Sequence, residues 1–441
     1  MGRLISTLAM VLVLAGLAGY IYFADGDSAG DTTTTKEKAF GTVAADDIEE
    51  VRIALNEEMP ARLTKSNGTW KLVEPSAADA DATELSSITS SLSTLDIERV
   101  VDEKPGELAQ YGLAPARIDV SFKLKGQAAE KRLLLGDKTA TGGDIYAKLL
   151  DSPRVFLVSS FVESTFKKDP FSLRDKTILK VDRTKVDGFT AADGKTTLEF
   201  VKNGSDWTIV KPIAARADFG AVEGAIERLA TANMQALTAD NASDLKQYGL
   251  DKPTATMTVK SGSSSATLTL GKTDNAVVFA KDAARPLIFT VAPTLRDDVI
   301  KAVGDFRRKD VFDFRSFTAT RLEFTRGTET QTFEKSKSKD KDGKDVDVWK
   351  DAKGATVEAM KVEDLLTKVS GLRASSFEAT APAALKTPAV TIKASFDSRT
   401  ETVTIGRSGA DAFAARPDEP GAAKLDTAAV DEALKALDAL K

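Results

Sequence analysis

The three tryptophans, Trp70, Trp207 and Trp349, are the only ones in a chain of 441 residues, and they stand 137 and then 142 residues apart. Each follows a turn signal: Asn67-Gly68, Asn203-Gly204 and, more loosely, Asp342-Gly343. Solenoid repeats have periods of about 20 to 50 residues, whereas one domain takes about 100 to 150. The spacing therefore requires a domain-sized unit used three times, with copies over 43–181, 182–315 and 316–441.

The internal pattern of the unit gives its fold class. Val51-Arg52-Ile53-Ala54-Leu55, Thr197-Leu198-Glu199-Phe200-Val201 and Arg321-Leu322-Glu323-Phe324 alternate apolar with polar residues and open a hairpin meander in each copy. Pro75 and Pro212, five residues past their tryptophans, end a strand because proline has no N–H to give. Helical spacing follows at Leu85, Ile88 and Leu92, at Val222, Ala225, Ile226 and Leu229, and at Val362, Leu365, Leu366 and Val369. A second block then recurs: Tyr111-Gly112-Leu113 and Tyr248-Gly249-Leu250 lie 41 residues beyond Trp70 and Trp207, and the third copy keeps only Leu385 and Pro388 of it. Strands ending in Gly136, Gly271 and Gly406 come next, followed by strands carrying Lys148 and Lys281, with Arg416 nearby in the third copy. Each copy closes on helical spacing, at Val299, Val303 and Phe306 in the second and at Val430, Leu434 and Leu437 in the third. The expected fold is α+β: three tandem repeats, each a mostly antiparallel β-sheet with one or two packed helices.

Residues Leu4–Phe23 form a charge-free apolar run of 20, the length a helix needs to cross a hydrocarbon core about 30 Å thick. Arg3 before it and Asp25, Asp27 and Asp31 after it put the amino terminus in the cytoplasm and the repeats outside. The competing reading is a cleaved signal peptide, whose apolar region is shorter, about 7 to 15 residues. The expected layout is a transmembrane anchor over 1–24, a flexible tether over 25–42, then the repeats.

Composition narrows the chemistry. With 61 basic against 66 acidic residues the net charge is -5, so no nucleic-acid partner is expected. The chain has neither cysteine nor histidine, which excludes a Cys nucleophile, a Ser-His-Asp triad and the usual zinc site. No catalytic residue, cofactor or metal ligand is assigned, and the chain reads as a non-enzyme. Asp340, Asp342, Asp345 and Asp347 look like a calcium loop, but Ser338 and Trp349 would hold its first and last ligand positions, so a solvated hairpin tip is favoured. Trp70, Trp207, Trp349, Tyr111 and Tyr248 read as core anchors rather than sugar platforms. Gly112 and Gly249 read as positions needing an unusual backbone, with Gly136, Gly271 and Gly406 as further anchors. The basic turns Leu173-Arg174-Asp175-Lys176 and Phe306-Arg307-Arg308-Lys309 fall at the junctions, making Arg174, Lys176, Arg307 and Arg308 the candidate inter-repeat binding residues.

The tryptophan strand, the Tyr-Gly-Leu-x-x-Pro block, the Leu-x-Leu-Gly strand end, the Tyr-Ala-Lys strand and the Leu-Arg-Asp-Lys turn together resemble the bacterial domain of unknown function 4340 family. The resemblance covers nearly everything after the tether. Such proteins are typically membrane-anchored in the cell envelope, some encoded beside ABC transporters of the gliding-motility type. It implies a single-pass inner-membrane protein with periplasmic domains that serves as an accessory or scaffold, with an integral membrane partner such as an ABC permease. The alternative expectation is a glycan- or lipid-binding module using the junctions between repeats.

Overall fold

Each copy builds one nine-stranded sheet in which neighbouring strands are antiparallel, and the strand order is the same in all three. The computed structural model describes residues 36–56, 59–241 and 243–440. They fall into two compact units, one ending at Asp175 with the first sheet, the other beginning at Lys176 with the second and third.

In the first copy Ile48–Leu55, Ala61–Ser66, Thr69–Glu74 and Ala78–Asp79 run as a meander to one edge. Ile118–Leu124, Glu130–Lys138, Asp144–Leu149 and Val155–Ser159 run as a second meander towards the other. The two meet at the centre, where Val51 faces Phe122 and Ile53 faces Val120. Arg99–Asp102 closes the far edge against Val155–Ser159. The two-residue strand and this ninth strand were not expected from the sequence; so few residues carry no measurable period.

The turns are set by the residues that tolerate them. Asn67 and Gly68 both have positive φ, 51° and 77°, as a two-residue hairpin turn of the primed type requires. The second copy has one more residue before its tryptophan, so Asn203 pairs with Asp206 and the turn moves to Gly204-Ser205. Helices Ala82–Thr94, Phe219–Thr231 and Ala359–Ser370 bury the faces that their spacing defines: Leu85, Ile88 and Leu92; Val222, Ala225, Ile226 and Leu229; Val362, Leu365, Leu366 and Val369. Burying each such side chain contributes roughly 1.5–3 kcal/mol against leaving it in water.

The expected repeats of antiparallel sheet with packed helices are present, with strand more dominant than foreseen. The third copy keeps the whole plan although its motifs thin out. The closing helix of the second copy differs from expectation. It is split into Leu295–Val299 and Val303–Phe306, because Ile300 and Ala302 adopt extended backbone. The anchor expected over Leu4–Phe23 and the tether up to residue 35 lie outside the described residues. The last part of the expected tether is not free but packed on the first sheet: Ala39 N–H donates to the Leu95 carbonyl at 2.8 Å and Phe40 meets the Phe122 ring with centroids 4.8 Å apart, because an apolar pair there has core to bury against. Among the described residues no helix is long and apolar enough to cross a membrane.

Candidate functional site

The second and third copies are joined by an extended connector that pairs on both sides. On the side of the second copy, Asp218 N–H donates to the Phe306 carbonyl at 2.7 Å and Arg308 N–H to the Arg216 carbonyl at 3.0 Å. Towards the third, Val311 N–H donates to the Leu372 carbonyl at 3.0 Å and Ala374 N–H to the Lys309 carbonyl at 2.8 Å. Phe306 is buried and meets the Phe200 ring with centroids 5.0 Å apart. The apolar residue at the head of the connector thus plugs into the core while its backbone extends the sheet edges.

Around this connector five arginines meet five carboxylates. Glu419, its side chain 7% exposed, accepts from Arg216 Nε at 2.6 Å through Oε1 and from Arg307 Nη2 at 2.8 Å through Oε2. Asp313 accepts from Arg216 at 2.6 Å and pairs with Arg308 at 2.9 Å. Glu401 accepts from Arg416 at 2.7 Å and from the backbone N–H groups of Asp313 and Phe314. Asp418 pairs with Arg416 at 3.2 Å and Asp310 with Arg373 at 3.2 Å. The Arg307 guanidinium, 4% exposed, also lies 4.1 Å from the centroid of the Phe377 ring. Free space amid these groups is about 20 Å³, what a single water needs.

Three members of the network are shifted by the charges beside them. Burial works to raise the Asp313 carboxyl, but Arg216 and Arg308, with Arg416, outweigh it and keep it below the usual carboxylate range. Burial works to lower Arg416, and its bonds to Glu401 and Asp418 reverse that. Asp418 behaves like Asp313: burial is overcome by Arg416. Chemically the arrangement is an ion network that fastens two sheets together, with Arg307 Nε buried and unpaired within it.

The sequence candidates fall as follows. Arg307 and Arg308 both enter this network. Arg174, buried in the first unit, donates to Ser76 Oγ at 2.7 Å, while its backbone pairs with Ala80. Lys176 belongs to the second unit, where its carbonyl accepts from Met234 N–H at 2.8 Å. Trp207 and Trp349 are buried, and Trp207 Nε1 donates to Glu223 at 2.9 Å; Trp70 is half-buried against its core. The tyrosines pack on the adjacent strands, Tyr111 on Tyr146 and Tyr248 on Phe279, each at 5.1 Å between centroids. Gly112 and Gly249 are left-handed, with φ of 65° and 68°. A Cβ at Gly136, Gly271 or Gly406 would overlap the carbonyl oxygen of Tyr111, Tyr248 or Ala384. The Tyr-Gly-Leu block and the strand-ending glycine are therefore two halves of one contact, and the third copy keeps it without the tyrosine.

Lys148 and Lys281 fold back on their own hairpins: each donates to carbonyls, at Leu149 and Ser152 and at Asp282 and Arg285. Arg416 is not their counterpart, since Ala415 holds that register position. It matches Arg154 and Arg285, which reach the segment entering each copy: Arg154 pairs with Glu37 at 2.7 Å, and Arg285 donates to the carbonyls of Thr177 at 2.9 Å and Ile178 at 2.5 Å. Arg416 likewise donates to the Val311 carbonyl at 3.1 Å. A signal for this role was present, because each of these arginines adjoins a proline in Pro153-Arg154, Arg285-Pro286 and Arg416-Pro417. Arg216, Asp313, Glu401 and Glu419 carried no such mark. In the hairpin tip, Asp345 and Asp347 pair with Lys339 and Lys337, both at 2.7 Å. Among the described residues no group of His, Cys, Asp or Glu is placed to hold a metal.

Sheet, connector and ion network together define a modular tandem-repeat protein. A family model described as a domain of unknown function (DUF4340) matches residues 70–208 and again 207–389, each match beginning at a tryptophan of the repeat. The chain belongs to that family. None of the curated proteins matches it in sequence. Among solved structures, the DNA polymerase sliding clamp of Pseudomonas aeruginosa with ligand is 9% identical, over 87% of this chain and 92% of that one, with a TM-score of 0.15. A second structure of that clamp is 8% identical, over 86% and 91%, with a TM-score of 0.16. Likeness at that level carries no argument.

Proposed function

We propose that this is a non-enzymatic, membrane-anchored protein of the bacterial envelope whose repeats act outside the cytoplasm as a scaffold, docking onto a membrane complex of the ABC-transporter kind. The observation that carries the reading is the connector Phe306–Val311, paired by backbone on both sides and locked by the arginine–carboxylate network. The junction thereby serves to fix one module against the next, which suits a spacer or docking arm. The apolar run Leu4–Phe23 supports an anchor at the inner membrane, with the repeats on the periplasmic side. Affinity purification from detergent-solubilised membranes at native expression tests it. Permease components should be recovered with the chain, and recovery of the chain alone would sink the reading.

A second reading has one observation in its favour. Beside the network an apolar cleft lined by Ile213, Val303, Phe377 and Pro420 opens next to Arg307. A glycan or lipid held there would make the junction a binding site. Saturable binding of an anionic phospholipid, lost on Phe377→Ala, would support this reading over the first.

A further inference from the structure

The short strand after the tryptophan strand is the sheet edge in every copy: Ala78–Asp79, Ala215–Arg216 and Thr356–Val357. In the first unit its outer side is taken by the chain itself: Asp81 N–H donates to the Leu173 carbonyl at 2.9 Å, and Asp175 N–H to the Asp79 carbonyl at 2.8 Å. In the second copy Asp218 and Arg216 make the same two bonds with Phe306 and Arg308. Both occupants read apolar residue–Arg–x–Lys, and in both the apolar residue and the arginine are buried.

The register carries the comparison to the third copy. Lys350 faces Thr356 as Lys71 faces Asp79 and Thr208 faces Arg216. The outward pair is therefore the Thr356 carbonyl and the Glu358 N–H. Among the described residues no segment pairs with them. Thr356 and Glu358 are exposed.

We propose that the outer edge of Thr356–Val357 is the docking site for an extended segment of a partner polypeptide carrying the pattern apolar residue–Arg–x–Lys. It binds by strand addition, donating to the Thr356 carbonyl and accepting from the Glu358 N–H, as the chain's own connectors do at the other two edges. The proposal rests on the docking reading above and names its surface.

The test uses the full chain and a labelled peptide copying residues 302–312, followed by fluorescence anisotropy. Glu358→Pro removes the outward N–H at a residue whose φ is already -60°, so the backbone accommodates it. The intact protein should bind the peptide saturably, Glu358→Ala should bind equally, and Glu358→Pro should bind about tenfold more weakly while unfolding at the same temperature. Absence of saturable binding, or equal binding by Glu358→Pro, overturns the proposal and leaves a short protected edge only. The docking reading fails separately: it falls if the peptide binds as stated and no membrane partner is recovered. Recovery of the partner equally by wild type and Glu358→Pro condemns the edge alone.

Discussion

The second and third copies share a strand order, yet their edge strands meet different fates. At Ala215–Arg216 the connector covers the edge, and Asp218, two residues past the strand, does two jobs: its N–H binds the Phe306 carbonyl, and its side chain caps the following helix by accepting from Ala221 N–H at 2.9 Å. Asp81 does the same in the first copy, accepting from Thr83 and Glu84. At Thr356–Val357 the corresponding residue is Glu358, which makes no side-chain cap bond. The difference teaches that connector and cap form one device. Where the connector is bound, the residue that receives it is a short acid that also starts the helix.

The sharpest way to break the filled side of this comparison is to remove Glu419. Arg307 and Arg216 would then lose a shared buried partner, and an uncompensated buried charge costs about 3–5 kcal/mol. Glu419→Ala should lower the unfolding free energy of the second unit by that much in urea, and increase hydrogen exchange at Arg308 and Ala374 first. An effect under about 1 kcal/mol would place the pair among weak surface ion pairs. Acid should loosen the same junction. Because the Asp313 carboxyl is depressed on folding, its stabilising contribution is complete above about pH 4 and is lost as pH falls through the depressed value. Asp313→Asn should therefore show a shallower loss of stability on acidification than the parent chain.

Next in size is a test of whether the third copy is a full member of the set. Gly271 and Gly406 each face a backbone carbonyl where a Cβ would stand, Tyr248 in one copy and Ala384 in the other. Backbone cannot yield cheaply, so Gly271→Ala and Gly406→Ala should each cost about 1–3 kcal/mol. Similar losses, measured by chemical denaturation, would mean the contact survives without its tyrosine. A harmless Gly406→Ala would mean the third copy has relaxed there.

Much of this plan was legible in the sequence. Alternation marked the long strands, spacing at three and four marked the helices, and the tryptophans fixed the repeat. The short edge strands were not, since Ala78–Asp79 and Arg99–Asp102 are too short to show a period. The junction was half legible. Arg307 and Arg308 stood out as a basic turn at a boundary, but their environment depended on Glu419 and Asp313. Arg216 meets those two carboxylates across 203 and 97 residues of chain. Contact at such separation is a property of the folded sheets, and one sequence gives no means of choosing those two among 66 acidic residues.

The smallest expected effect bears most directly on the opening comparison. Asp218→Ala removes the cap bond to Ala221 and should cost about 1 kcal/mol. Glu358→Ala removes no cap bond, only an exposed pair with Lys361 at 3.0 Å, and should change stability by less than about 0.5 kcal/mol. Thermal unfolding of the two variants side by side reads the difference. Adding Asp at the open edge sharpens it further. Glu358→Asp places the shorter acid where the filled edges carry it, so it should gain a cap and raise stability by a few tenths of a kcal/mol up to about 1. If it does, the third edge lacks only the residue and not the geometry. If it destabilises instead, the helix start in this copy is shaped differently, and the likeness of the three edges ends at the strand.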